Sequence, residues 1–266
     1  VLLAELAVAP SDETLETLVQ PPRAVIGAMA PRSEVSELLE EPRLTSLPVV
    51  DVQGHLLGVI RQDALLDAAR EEAVSDLQAM VGASREERAL STAAFAVRKR
   101  LPWLEINLLT AFLAAAVVGL FEDTIARVTA LAVLLPVVAG QSGNTGAQAL
   151  AVTMRGLALR EVRTQQWLRV VVKELLAGAG NGVAVAATTS LAVYLWSRSP
   201  GLALVIGSSM VLSMTIAGFS GAAIPMILTS LRQDPAQSSS IFLTTVTDVA
   251  GFFSFLGIAT LLMSRL

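Results

Sequence analysis

Polar and apolar positions divide the chain into two regimes. Up to about residue 100, apolar residues come in short runs broken by charge, glycine and proline. Beyond that point they come in five long blocks, at about 103–121, 125–154, 168–196, 202–231 and 240–263. A bilayer crossing needs about 20 consecutive, mostly apolar residues, and each block meets that length. The predicted architecture is mainly α: a polytopic membrane protein with five transmembrane helices, preceded by a small α/β domain.

In the first regime, LPVVD (47–51) and LLGVI (56–60) are β-branched apolar runs. The QGH between them, with Gly54, predicts a tight turn and so a hairpin. The single histidine, His55, then sits exposed in that turn. A helix is expected within 1–20, with Ser11 or Asp12 capping a second one that Pro21-Pro22 ends, and another over 35–41 before Pro42. Asp63 can cap a helix that opens DALLDAAREEA. That helix would set Asp63, Asp67 and Glu71 on one face. Such a face is either solvated or a sensor for a divalent cation, because hard cations want clustered oxygen ligands. Residues 77–100 predict a polar helical connector ending in Arg98-Lys99-Arg100.

Charge sharpens this division. Residues 1–100 hold 16 acidic and 10 basic side chains, whereas 101–266 hold 7 and 9. An acidic soluble part argues against a nucleic-acid partner. There is no cysteine, so disulfides and thiolate metal sites are excluded. Residues 1–20 are acidic and interrupted by Pro10, unlike a signal peptide. The chain opens on Val1, and an upstream part is expected. Basic residues flank the first block, and Arg155, Arg160, Arg163, Arg169 and Lys173 lie between or beside the second and third. The positive-inside rule then predicts a cell (inner) membrane protein with its amino terminus in the cytoplasm and its carboxyl terminus outside.

Three features inside the apolar blocks carry candidate chemistry. Asp248 is the sole ionisable side chain between Ser240 and Met263. A carboxylate at mid-bilayer costs roughly 2.5–3.5 kcal/mol on insertion scales, so it faces a water-filled path or a partner. The structural alternative is a hydrogen bond to Ser or Thr on a neighbouring helix. In the second block, Pro136, Gly140, Gly143 and Gly146 are expected to break the helix. Gln141, Ser142, Asn144, Thr145 and Gln148 place polar atoms at that break, as pore lining or as helix–helix glue through Asn144 and Gln148. Gly178/Gly182 and Ala217/Gly221 are small-xxx-small pairs that let helices approach, and Pro225 should kink the fourth block.

These residues also carry a resemblance. GQSGNTGAQALAVTMRGLALREV (140–162) looks like the signature of the MgtE magnesium channel family. RLPW at 100–103, KELLAGAGNG at 173–182 with Glu174 and Asn181, GAAIPMILTSLRQDPA at 221–236 and TTVTDVAGFFSFLGIA at 244–259 are similar to its successive helices. LTSLPVVDVQGHLLGVIRQDALLDAAREEA resembles the second of its paired CBS domains. The chain departs from the family where Gly140-Gln141-Ser142-Gly143-Asn144 replaces a common Gly-Thr-Gly-Gly-Asn, and where Ser75 holds a commonly acidic position.

The resemblance implies the tail of a first CBS domain over 1–18, a second CBS domain over 19–76, a cytoplasmic connecting helix over 77–100 and a five-helix pore domain over 101–266. It further implies a homodimer in the bilayer with a pore near its two-fold axis, conducting hydrated Mg²⁺. Asp248, Thr244, Thr245 and Asn144 would meet the ion, with Gly140, Gly143, Gly146, Gln148, Asn181 and Pro225 supporting the pore. Asp63, Asp67, Glu71, Glu72, Asp76 and Asp234 would form a regulatory Mg²⁺ interface that closes the pore. ATP at the CBS region stays open, with no residue pattern to support it. The competing readings are a Na⁺- or H⁺-coupled divalent-cation carrier of the same fold and a non-transporting CBS sensor anchored in the membrane. An enzyme is not expected: no nucleophile–base pair and no phosphate loop is present.

Overall fold

The computed structural model describes residues 7–10, 14, 17, 22, 24–30, 35, 38, 46–61, 63–64, 75, 78–159, 161–162 and 166–265, the side chains at 237, 238 and 265 excepted. The chain divides into two compact units, Val1–Val74 and Ser75–Leu266.

The first unit contains a three-stranded sheet, β1 (Ile26–Gly27), β2 (Ser46–Val50) and β3 (Leu56–Arg61), in the order β1-β2-β3. The expected hairpin is present. β2 and β3 run antiparallel, with Leu47 opposite Ile60 and Val49 opposite Gly58. Gly54 takes φ +86°, which a side-chain-bearing residue rarely adopts. The turn is tied by the Asp51 carboxylate, which accepts from the backbone N–H of Gln53 and of His55, each at 2.8 Å. The His55 N–H in particular holds the Asp51 pKa below its ordinary value. The His55 side chain is exposed, as expected for a turn residue. β1 adds in parallel to β2, and Ile26, Val35 and Leu47 form the small core of this unit. The helices expected within 1–20, over 35–41 and after Asp63 fall largely outside the described residues.

The second unit is helical: α1 (Ala93–Gly119), α2 (Glu122–Arg127), α3 (Ala130–Ala158), α4 (Trp167–Ser197), α5 (Pro200–Ser230) and α6 (Pro235–Leu261), then a 3-10 turn at Met263–Arg265. Among the described residues, four helices are long and apolar enough to cross a membrane: Ala93–Gly119, Trp167–Ser197, Pro200–Ser230 and the Ser239–Leu261 part of α6. The remaining long helix, α3, has 29 residues, a rise of about 43 Å. It carries the polar run. The five expected blocks therefore correspond to α1, α3, α4, α5 and α6.

Two elements differ from the sequence reading. First, the connector is not one helix. Residues 81–92 are turns, and helix resumes only at Ala93, capped by the Thr92 hydroxyl. Gly82 at φ +77° makes the bend, lying so close to Trp103 that a Cβ there would collide with the indole nitrogen. Second, the expected break in the second block is absent, because α3 runs unbroken past Pro136, Gly140, Gly143 and Gly146. Ser142, Thr145 and Thr153 turn their hydroxyls onto carbonyls four residues back, satisfying those side chains within the helix. The discontinuity falls earlier instead, at Val128–Thr129 between α2 and α3.

Helix α5 is the centre of the bundle. Its core residues Val205, Ile206, Met210 and Met214 cluster with Leu131, Leu134 and Val138 of α3 and Phe255, Leu256 and Ala259 of α6. Pro225 is buried inside α5, and the Thr229 hydroxyl donates to its carbonyl at 2.8 Å.

Candidate cation site

Helix α6 starts at a well-defined cap. Asp234 accepts from the Ala236 N–H at 2.9 Å, and Pro235 occupies the first turn, where its missing N–H costs nothing. From there α6 packs against α3. The Ser142 hydroxyl reaches the Thr247 carbonyl at 3.5 Å, and a Cβ on Gly146 would lie 3.0–3.1 Å from Leu243 and Thr247. A Cβ on Gly251 would meet the Ser142 hydroxyl at 3.2 Å. Thus Leu243, Thr247 and Gly251, at four-residue spacing, form the seam with α3.

Asp248 follows Thr247 by one residue, about 100° around the helix. It is half-buried beside this seam. Thr244 and Thr245 precede it by four and three residues and so share its face; Thr244 is exposed and Thr245 half-buried. Their hydroxyl protons go to carbonyls of the preceding turn, from Thr244 to Ser240 at 3.0 Å and from Thr245 to Ile241 at 2.7 Å. The Thr244 carbonyl is in turn taken by the Thr247 hydroxyl at 3.1 Å. With the helix unbroken here, the acceptors left on this face are the two hydroxyl oxygens and the Asp248 carboxylate, rather than backbone carbonyls.

On α3, Gln141, Asn144 and Gln148 share a second face. Asn144 and Gln148 are exposed and Gln141 is half-buried. Helix–helix glue within the chain is therefore not their role; Ser142 and Gly146 perform it. Sequence reasoning misses the α3–α6 contact of Ser142 with Thr247 and Gly251, although the four-residue spacing on α6 is a readable signal. Gly140 is exposed and Gly143 half-buried, each with open space where a Cβ would go, whereas Gly146 is buried at the seam. Asn181 is exposed on α4. Among the described residues, no three His, Asp or Glu side chains come together to hold a metal.

The predicted regulatory carboxylates fare differently from one another. Asp67, Glu71, Glu72 and Asp76 lie outside the described residues. Asp63 is exposed; it accepts from the Ala64 N–H and lies 3.5 Å from the Arg61 guanidinium. Asp234, besides capping α6, pairs with Arg85 at 2.8 Å. That pair belongs to a charged cluster between the 84–87 turn and the helix ends. Glu86 meets Lys99 at 2.6 Å, and the nearly buried Glu87 binds the Arg100 guanidinium. These hydrogen bonds, from Lys99 and Arg100 respectively, hold the Glu86 and Glu87 carboxyls below their ordinary pKa.

Residues 135–258, which run from α3 to most of α6, match the family described as MgtE, divalent cation transporter. This stretch is an MgtE-family domain. It is 31% identical over 232 residues to the magnesium transporter MgtE of Enterococcus faecalis, covering 87% of this chain and 51% of that protein. It is 31% identical over 233 residues to the Bacillus subtilis protein of that name, covering 88% and 52%. To the Thermus thermophilus one it is 32% identical over 263 residues, covering 98% and 58%. The chain thus spans about half the length of the curated relatives it matches. The MgtE region and the apolar helices together make this a multi-pass membrane protein.

Proposed function

We propose that the chain conducts hydrated Mg²⁺ through a pore formed by two copies, with one Asp248 from each facing the axis. The observation that carries this reading is the Thr244–Thr245–Asp248 face of α6. It is polar, only partly covered and set in an apolar helix, and among the described residues it belongs to no cluster of three His, Asp or Glu side chains that could hold a metal within one chain. Such a face at membrane depth needs water or a protein partner. A second copy supplies both the partner and the second acid.

Mg²⁺ dehydrates reluctantly and is bound through one or two carboxylates with its waters retained. Two Asp248 carboxylates would attract the ion without stripping it. The Thr244 and Thr245 hydroxyl oxygens would accept hydrogen bonds from its waters. The exposed Asn144 and Gln148 amides would line the wetted path. The relatives named as magnesium transporters support magnesium as the cargo.

In the same proposal the first unit is a CBS-type sensor, Asp63, Asp67, Glu71, Glu72, Asp76 and Asp234 are the carboxylates that respond to Mg²⁺, and that response favours the closed state. A ligand shifts that equilibrium only by its differential affinity for the two states. Asp67→Asn with Asp234→Asn removes charge while keeping a capping side chain on α6. The double variant should then stay open at high internal Mg²⁺, and normal closure in it would remove these residues from the sensor.

Growth of a bacterium deficient in magnesium uptake, on low Mg²⁺, tests conduction. Rescue by the chain but not by Asp248→Asn is expected. Rescue by both would detach Asp248 from conduction.

A further inference from the structure

Around the start of α4 the bundle has an outward surface that the proposed pore does not use. Leu168, Val172 and Leu176 recur every four residues and are all exposed, forming an apolar strip about 12 Å long. Arg169 and Lys173, also four apart, run beside the strip, and the five residues line a groove of about 510 Å³. Trp167 stands exposed at the head of the strip. Lys173 pairs with the nearly buried Glu174, yet most of its side chain is still exposed. Arg169 forms no ion pair among the described residues.

The groove therefore has one polar end and one apolar end. Cations and an indole lie at residues 167–173, and bare leucine lies deeper, at 176. An aromatic ring and basic side chains at a helix end mark headgroup depth, and the first turn of α4 adds the positive end of the helix dipole. A second copy of this chain would meet the same two cations with cations of its own. The charge and the length of the strip fit a phospholipid better.

We infer that this groove binds an anionic phospholipid. Its phosphate pairs with Arg169 and Lys173, Trp167 covers the glycerol region, and one acyl chain lies along the strip of Leu168, Val172 and Leu176. A guanidinium grips phosphate through two parallel hydrogen bonds, so Arg169 carries the selectivity for charge. The inference rests on the membrane assignment and is independent of whether the pore conducts.

The test uses Trp103→Phe with Trp196→Phe, which leaves Trp167 as the sole tryptophan. The full chain is placed in vesicles whose two leaflets match, so its orientation does not matter. Trp167 fluorescence is read against brominated phosphatidylglycerol and brominated phosphatidylcholine at equal mole fraction. Several-fold stronger quenching by phosphatidylglycerol is expected. Arg169→Gln should abolish the preference, and Arg169→Lys should keep most of it. Equal quenching by both lipids would overturn the inference, as would a preference that survives Arg169→Gln. Quenching by neither lipid would show another protein surface on the groove and would equally overturn it. An unchanged circular dichroism spectrum shows that Arg169→Gln is folded.

Discussion

Where α4 crosses α5, backbone meets backbone. A Cβ on Gly218 would collide with the Glu174 carbonyl, and one on Gly178 would lie 2.5 Å from that of Met214. Gly182 adds a third close approach, 3.0 Å from the Val211 Cα. The polar faces of α3 and α6 are built the other way. Asn144, Gln148 and Thr244 are exposed, Asp248 is half-buried, and Gly140 and Gly143 have empty space beside them. One region is finished within a single chain. The other presents hydrogen-bonding groups that lipid cannot satisfy. In the proposed channel, the first region fixes shape and the second is the part left for water, ion and a second copy.

Substitutions at the two regions should therefore fail differently. The largest effect is expected from Gly218→Leu, whose side chain would enter the α4 backbone. Overpacking costs typically about 1–3 kcal/mol and more where backbone must move. Thermal unfolding in detergent should fall by at least about 5 °C, or the protein should fail to accumulate. A stable, transporting Gly218→Leu would erase the distinction drawn above. Next, Asn144→Ala with Gln148→Ala should leave the melting temperature unchanged while Mg²⁺ uptake drops several-fold. A fall in melting temperature with normal uptake would mean those amides are structural after all.

A smaller, pH-dependent effect is expected at Glu87. Its hydrogen bonds from Arg100 favour the charged form, so the folded pKa lies below the unfolded one. The stabilisation is then complete above the unfolded pKa, about 4.3 for Glu, and is lost as pH falls through the lower folded value. Glu87→Gln should lower the melting temperature by a few degrees at pH 7, and the difference should shrink on acidification below about pH 4. A difference that is the same at both pH values would show that the pair is not its source. The smallest effect belongs to Gly180→Ala. It lies between Gly178 and Gly182 but faces open space. That change should be neutral, or stabilising by up to about 1 kcal/mol through helix propensity.

Much of this was legible in the sequence, for identifiable reasons. The β2–β3 hairpin could be read from Gly54 and the β-branched runs on either side, because strand and turn signals are local. The five long helices could be read because burial in lipid needs apolar length and little else. Asp248 stood out because a solitary acid in such a run is costly. The unbroken course of α3 was not legible. Glycine and proline propensities argue for a break, but Gly146 is small in order to admit Leu243 and Thr247, and tertiary packing overrides propensity. Nor was the bend at 81–92, which depends on Gly82 lying against Trp103, far along the chain. The pairing of Arg85 with Asp234 joins residues 149 positions apart, and no local pattern announces it.

Mg²⁺ entry into vesicles, followed with an enclosed Mg²⁺-sensitive dye, tests the pore most directly when the purified chain is compared with Asp248→Asn at equal protein content. Uptake by the unaltered chain should be reduced at least tenfold in the variant, with both unfolding at the same temperature. Equal uptake by the two would place the conduction path elsewhere and leave Asp248 as a structural acid.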